Sequence, residues 1–577
     1  NIRLKKYDEA KKNLKKITRN DNYSKIKYYN ALSRLYYSTQ NMNKYKKVFV
    51  DYYSLLSDYS KGFIKTNETS SINYYTHDIL QLMDGLTNLP EKEYSTVAKY
   101  FKQKKGQNIN NAIVEMFEVI RSSTVNTRVQ NVIDRSKDLK VAKEKRKLQD
   151  LVIEFEKISR DTKNEVDEKK LYQELKVVKK KITNQRRIVL KKLNLSNVSN
   201  FSEEITLEDI QKNLNEDQGI ISYFIDSFYL YIFSITDEDI RFKKIKIKNK
   251  KIKSHIQKII NTVKVNNSNR LKDFNFNHSN QLYDLIFKPI EATIENKRDL
   301  IIIPHKALMS LPFEILTKDK IKQSNQIKYQ KINWLGKKYS ISYYPSIYSF
   351  YNLQKIKSKN NVNNFVGFGD PEFNSKKNIK LASKTDYSKL TMSRGIADAD
   401  EIRKLSELPE TSDELKFIAN IFKGKSKLYL RKDFDEEKIK SLDLSNYKYI
   451  SFATHAIVAD QINNISEPGI ILTPPKKSTK INDGILTVSE IEKLNLNSDI
   501  VILSACNTAS EDGSPNAEGL SGLTSAFFQA GTKSMMVTHW DVETNSAVTL
   551  TTGTFDKMKE LKNLSKAMHK TKIEMMN

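Results

Sequence analysis

From Leu207 onward, short apolar runs of strand length alternate with segments of helical periodicity, and most of the runs close on a polar, Gly or Pro residue. A chain of that pattern folds as an α/β sheet, because strands joined by helical crossovers lie parallel and are covered on both faces. The first runs are SYFI (222–225), LYIFSI (230–235), LIIIP (300–304), YSISYYP (339–345) and FVGFGDP (365–371). A second series follows: KLYLR (427–431), YKYISFATHA (447–456), GIILT (469–473), DIVILSAC (499–506) and KSMMVTHW (533–540). Two series predict two α/β halves, with the Ser- and Lys-rich residues 372–408 as a surface insertion between them.

Before Leu207 the pattern is helical. Tyr7, Ala10, Leu14 and Ile17 recur in spacing as Tyr45, Val48, Tyr52 and Leu55. The segment ALSRLYYSTQNMNKYKKVFVDYYSLL resembles a tetratricopeptide repeat, whose paired helices stack on small and aromatic residues; an ordinary amphipathic hairpin stays open as the other reading. Leu148, Val152, Phe155 and Ile158 share one stripe of a highly charged stretch that reads as a connector. The expected divisions are therefore 1–104, helical repeats; 105–204, a helical connector; 205–359, a first α/β half; and 360–577, a second. The chain opens on NIRLKK without Met, and further sequence is expected before residue 1 and after residue 577.

Composition removes several classes. A single cysteine in 577 residues excludes an internal disulfide framework and points to a reducing, cytoplasmic interior. The most membrane-like run, GIISYFIDSFYLYIFSI (219–235), is interrupted by Asp226 and is shorter than the roughly 20 residues a spanning helix needs; it reads as two strands. The formal charge of +29 invites a nucleic-acid partner. However, lysines outnumber arginines about five to one, and bidentate phosphate and guanine contacts favour arginine. The runs KKIKIKNKKIK (243–253) and KVVKKKITNQRRIVLKK (176–192) alternate charge with apolar residues, as solvated faces do.

The one cysteine, Cys506, follows the apolar run Ile500–Leu503, at the carboxyl end of a strand. Ligands and catalytic groups gather at that edge of an open α/β sheet. The run YISFATHA ends on His455 and Ala456 in the same way, and the residues between the two runs contain the helical segment LTVSEIEKL, suited to a crossover. If the strands are parallel neighbours, imidazole and thiol meet. His455 can then take the thiol proton and later deliver one to a leaving amine, with the backbone amides of Cys506 and Ala456 as oxyanion donors. Spacing alone leaves a structural cysteine beside a satisfied histidine equally open. His539 reads as a packed histidine one strand further on, and His305 lies in the PHKALMSLP turn. EGLSGLTSAFFQAG reads as a helix with Leu520, Leu523 and Phe527 inward and Gly531 as its stop; no GK[ST] follows, so it is not a P-loop.

An ordered set of motifs goes further. LIIIPHKALMSLPFEIL, YSISYYPSIYSF, FVGFGDPEF, LPETSDELKFIANIF, YISFATHA, GILTVSEIEKLNLNSDIVILSACNTA, EGLSGLTSAFFQAGTKSMMVTHWDV and NLSKAMHKTKIEMM together resemble the CHAT family, caspase-like domains associated with tetratricopeptide repeats and related to caspases and separase. The resemblance covers the chain from about Leu207. It implies an α/β caspase-like (caspase-hemoglobinase) fold of two α/β subdomains after an all-α repeat-like region. It also implies a cysteine endopeptidase with His455 as general base and Cys506 as nucleophile, and neither metal nor cofactor. Three departures stand out: Ala456 where Gly usually follows the histidine, an end at Asn577 where relatives continue, and His539 before Trp540. HWDVET resembles the place where separase-like enzymes have acidic pocket residues, so Asp541 and Glu543 are candidates for a basic substrate residue, or else surface acids. The expected partners are a protein substrate and an activating protein or protein–nucleic-acid assembly reached through the N-terminal helices. Two rivals stay open: an inactive interaction scaffold and a nucleic-acid-responsive binding protein.

Overall fold

The computed structural model describes residues 6–14, 22–66, 69–121, 206–263, 273–321, 327–355, 363–373, 392–393, 396–397, 399–422, 424–457, 468–479, 481–504, 522–539, 542 and 544–577, with scattered positions between 144 and 188. The chain forms two compact units, one of residues 1–127, 205–348 and 560–577 and the other of residues 128–204 and 349–559. The expected connector stripe at Leu148, Val152, Phe155 and Ile158 lies outside the described residues, as does most of KVVKKKITNQRRIVLKK.

The first unit opens with six helices, α1 (Tyr7–Leu14), α2 (Asn22–Ser38), α3 (Met42–Thr66), α4 (Thr69–Thr87), α5 (Glu91–Lys105) and α6 (Ile109–Arg121). Tyr45, Phe49, Tyr52 and Leu56 of α3 are buried, as are Ile79, Leu82 and Met83 of α4 and Val97 and Phe101 of α5. That apolar spacing of three and four residues makes one stripe per helix, which the neighbours cover. Helix α5 stops at Gly106, whose φ of 74° suits glycine and whose N–H donates to the Lys102 carbonyl.

The sheet of this unit has the order β3–β2–β1–β4–β5, with β1 (Gln218–Ile225), β2 (Tyr229–Ile235), β3 (Ile240–Lys246), β4 (Asp299–Ile303) and β5 (Ser340–Tyr343). Strands β1, β2 and β3 pair antiparallel, and β1, β4 and β5 pair parallel. Asp226, the residue that interrupts the membrane-like run, makes the hairpin turn. Its Oδ1 accepts from the amides of Phe228 and Tyr229, both at 2.6 Å, and its Oδ2 accepts from the Tyr231 hydroxyl at 3.1 Å. Among the described residues no helix is long and apolar enough to cross a membrane.

The second unit carries a fully parallel sheet of order β15–β14–β10–β6–β9. Its members are β6 (Asn363–Gly369), β9 (Ser426–Leu430), β10 (Tyr447–Ala453), β14 (Ile500–Ser504) and β15 (Ser534–Met536). Alternate residues face opposite layers. Val366, Phe368, Ile450, Phe452, Val501 and Leu503 pack on the helix Gly522–Ala530, whose Leu523 and Phe527 are buried and which ends at Gly531 (φ 118°), as its sequence predicts. Leu520 lies outside the described residues. On the other face Gly367 and Gly369 let Leu415 of the helix Glu410–Ile421 lie directly on the strand, since an added Cβ would come within 2.9 and 2.7 Å of that leucine.

Smaller elements complete the unit: the hairpin β7 (Met392–Ser393) and β8 (Ile396–Ala397), and the antiparallel ribbon β11 (Ala456–Ile457), β12 (Gly469–Ile471) and β13 (Ile485–Thr487). The reading of 372–408 as a surface insertion needs correction. Phe373, Ala397, Ile402 and Leu405 are buried with Ile457, Ile471 and Ile485 in a small core of their own. The segment's Ser and Lys content masks a few apolar anchors too widely spaced to register as an element.

Candidate active site

Strand β10 is followed by Thr454 and His455, after which the chain enters β11. The Thr454 hydroxyl donates to the Ile471 carbonyl at 2.6 Å, and the Ile471 amide donates to the His455 carbonyl at 2.9 Å, so the main chain at the histidine is pinned to β12. The ring is buried, with Phe373 packed beside it at 5.7 Å between centroids. Its Nε2 lies 2.9 Å from the Ser406 carbonyl oxygen. A carbonyl can only accept, which assigns the proton to Nε2 and the lone pair to Nδ1. Burial pushes the imidazole pKa below its ordinary value, with the Ser406 bond opposing that shift. The side chain is therefore a neutral imidazole near pH 7.

Strand β14 lies beside β10, parallel, with Ala453 opposite Ser504. His455 comes two residues after one member of that rung, and position 506 comes two residues after the other. Cys506 itself lies outside the described residues, and so do Asp541 and Glu543. Ala456 is buried in β11 opposite Ile470. Hydrogen-bonded and non-hydrogen-bonded pairs alternate along an antiparallel ladder. Because the Ile471 amide bonds the His455 carbonyl, the next pair, Ala456 and Ile470, is of the second kind. The Ala456 N–H is thus directed away from β12.

The other histidines are placed differently. His305 follows β4 in the first unit, stacks on Phe224 at 4.4 Å and accepts the Ile225 amide on Nδ1 at 2.9 Å. His539, half-buried, comes shortly after β15. No group of three or more His, Cys, Asp or Glu that could hold a metal ion occurs among the described residues.

Sequence reasoning missed four side chains that support this edge. Glu414 is buried beneath the end of β14 and accepts from the Ser504 hydroxyl at 3.1 Å; burial pushes its pKa up to about 7. An acid on the same helical stripe as Thr411, Leu415 and Ile418 was the available signal. Glu407, Arg431 and Asp370 meet at the ends of β6 and β9 from positions far apart in the chain, and nothing in the local sequence announces them.

The comparisons extend this picture. The family model for the CHAT domain matches residues 277–577, more than half of the chain, and the chain belongs to the CHAT family. No curated protein matches it. Among solved structures, the complex of Porphyromonas gingivalis RgpB pro- and mature domains is similar over 56% of this chain and 71% of its own, at 8% identity and a TM-score of 0.29.

Proposed function

We propose that this chain is a cysteine endopeptidase of caspase-like fold in which His455 is the general base and Cys506 the nucleophile. The observation that carries the reading is the parallel register of β10 and β14, with Ala453 opposite Ser504. Each side chain stands two residues beyond one rung of that ladder, and adjacent strands are about 4.8 Å apart. Parallel neighbouring strands that end on the same rung are the arrangement a His–Cys dyad needs. Membership of the CHAT family supports the same assignment.

The chemistry follows from the tautomer. With its proton committed to the Ser406 carbonyl, the ring offers the Nδ1 lone pair to the thiol, and the thiolate attacks the scissile carbonyl carbon. The oxyanion is received by the amides of Cys506 and Ala456, the second of which the β11–β12 ladder does not use. As the C–N bond breaks, the imidazolium returns its proton to the leaving amine, and a thioester is left on Cys506. Water, deprotonated by the same nitrogen, then releases the acid and restores the thiol. No metal or cofactor enters these steps. Asp541 and Glu543 are assigned to the pocket for the residue before the cut, which would favour Arg or Lys by charge pairing. Residues 1–104 serve as a recognition arm, 105–204 as its connector, 205–359 as a non-catalytic half and 360–577 as the catalytic half, with a partner on the arm releasing activity toward a protein substrate.

Labelling by an electrophilic peptide probe, read by intact mass, tests the dyad. The wild type should take up one equivalent, Cys506→Ala none, and His455→Ala about 10²- to 10⁴-fold more slowly. Equal labelling of wild type and His455→Ala would remove the general base from the scheme.

A further inference from the structure

The Ser406 carbonyl meets the His455 ring at Nε2 and Phe373 packs against it, and both lead to one carboxylate. Glu407 directly follows Ser406 in the chain, and its Oε1 accepts the Phe373 amide at 3.1 Å. Its other oxygen, Oε2, accepts from Arg431 Nη1 at 2.8 Å, and the same nitrogen reaches Asp370 Oδ1 at 3.3 Å. Asp370 directly follows β6 and Arg431 directly follows β9, so the carboxylate is tied to the ends of two paired strands.

The main chain at that tie is unusual. Asp370 and Arg431 both have positive φ, 48° and 54°, in the region L-residues with side chains seldom adopt. They are locked to each other and to their neighbours. The Arg431 amide donates to the Asp370 carbonyl at 3.0 Å, and the Thr411 hydroxyl accepts the Asp370 amide at 2.9 Å. The Thr473 hydroxyl donates to the Arg431 carbonyl at 2.7 Å. Such conformations persist where the surroundings impose them, and they cluster at functional sites. The Arg431 side chain is 46% exposed, and an ion pair in that setting adds little to stability. What the arrangement does provide is a fixed position for one short segment.

We infer that Glu407 is a positioning residue for the candidate base: it clamps the Ser406 carbonyl and Phe373 about His455, and Arg431 and Asp370 fix the clamp to the sheet. The inference rests on His455 being the general base, as proposed above, but its geometry concerns described residues only. With the carboxylate removed, the carbonyl and the aromatic ring move independently, and the imidazole samples other orientations. A displacement near 1 Å at a reacting group can lower a rate by about 10²-fold.

The test uses the full chain with ring-labelled histidine, followed by NMR for the His455 tautomer and titration, in parallel with the probe-labelling rate across pH. Glu407→Ala should lose the single Nε2–H tautomer, lower the His455 pKa further by removing the Ser406 bond that opposes burial, and slow labelling by about 10- to 100-fold. Half-saturating probe concentration should change less than about threefold. Glu407→Gln keeps an oxygen for the Phe373 amide but loses the charge facing Arg431, and should fall between Glu407→Ala and wild type. Glu401→Ala, an acid that pairs only with Lys404 among the described residues, should match wild type in every readout. If Glu407→Ala fails to fold, Arg431→Gln substitutes for it and should give the same tautomer change. Wild-type tautomer, titration and rate in a folded Glu407→Ala protein would overturn the inference. A changed tautomer with wild-type labelling rates would instead leave the clamp standing and count against His455 as the base.

Discussion

At the carboxyl ends of β1 and β4, Arg121 of α6 fills the sheet edge, donating to the carbonyls of Ile303 and Pro304 at 3.2 and 3.0 Å, to Tyr223, and to the Ser222 hydroxyl at 3.3 Å. At the carboxyl ends of β10 and β14 in the other unit, the described groups are His455, Ser504 and the buried Glu414. Both edges carry a buried histidine with its pKa lowered mainly by burial. The hydrogen bonds use opposite ends of the two rings. His305 accepts the Ile225 amide, so its lone pair is committed to the backbone. The Ser406 bond of His455 uses its proton and not its lone pair. Buried histidines at the two edges thus meet the main chain through opposite ring nitrogens, one accepting from an amide and the other donating to a carbonyl.

The largest effect that would sharpen this contrast comes from removing the plug. Arg121 and Glu118 are both buried and pair at 3.2 Å, and Glu118 also accepts the Ile347 amide at 2.8 Å. Taking one member of such a pair away leaves an uncompensated buried charge and costs about 3–5 kcal/mol. Arg121→Met should therefore lower the stability of the first unit by that amount in urea unfolding. The double change Arg121→Met/Glu118→Gln should recover part of the loss. Equal losses for the single and double variants would show that the carbonyl contacts, and not the charge pair, hold this edge closed.

The second contrast concerns pH. Burial raises Glu414 from 4.5 to about 7, whereas His305 is held well below its ordinary value. For Glu414 the folded state keeps its proton while the unfolded state has lost it between those two values. Its contribution is fully present below about pH 4.5 and declines as pH rises to about 7, a change of about 3 kcal/mol. His305 acts in the reverse direction: the unfolded state gains a proton as pH falls below about 6.5, and stability is lost toward acid. The difference in unfolding free energy between wild type and Glu414→Gln, measured from pH 4.5 to pH 8, should carry the Glu414 slope. A flat difference would mean that the carboxyl is ionised throughout and compensated by its hydroxyl neighbours.

How much of this could be read in advance depended on the kind of information each feature carries. All ten apolar runs contain strands, because burial on two faces demands continuous apolar sequence and turn residues mark its limits. The parallel pairing of the strands leading to His455 and Cys506 was equally legible, since a segment between them offered a crossover. Main-chain partners were not. Ser406 contributes a carbonyl, which every residue has, and Arg121 reaches its carbonyls across more than a hundred positions. Glu414 could have been suspected as an acid on an apolar stripe, yet its partner at the end of β14 is set by tertiary packing alone.

The smallest effect tests how tightly the two sheets are packed. In β1, a Cβ added at Gly219 would meet side-chain atoms of Ile294 and Lys297 at 3.3 and 3.4 Å, contacts that a small shift relieves. In β6, a Cβ at Gly369 would stand 2.7 Å from Leu415 Cδ1, 2.9 Å from the Ala453 carbonyl oxygen and 3.3 Å from the Ala453 Cβ. The leucine can turn aside, but the carbonyl belongs to the central strand and cannot. Overpacking of this kind costs about 1–3 kcal/mol. Gly219→Ala should stay within about 0.5 kcal/mol of wild type, because a strand gains from losing a glycine's chain entropy. Ala453 immediately precedes Thr454 and His455, so Gly369→Ala should also slow probe labelling, while Gly219→Ala should leave it unchanged. Loss of stability in Gly369→Ala without any change in labelling rate would place the strain in the Glu410–Ile421 helix instead, and would show that the His455 edge tolerates movement of the strand beside it.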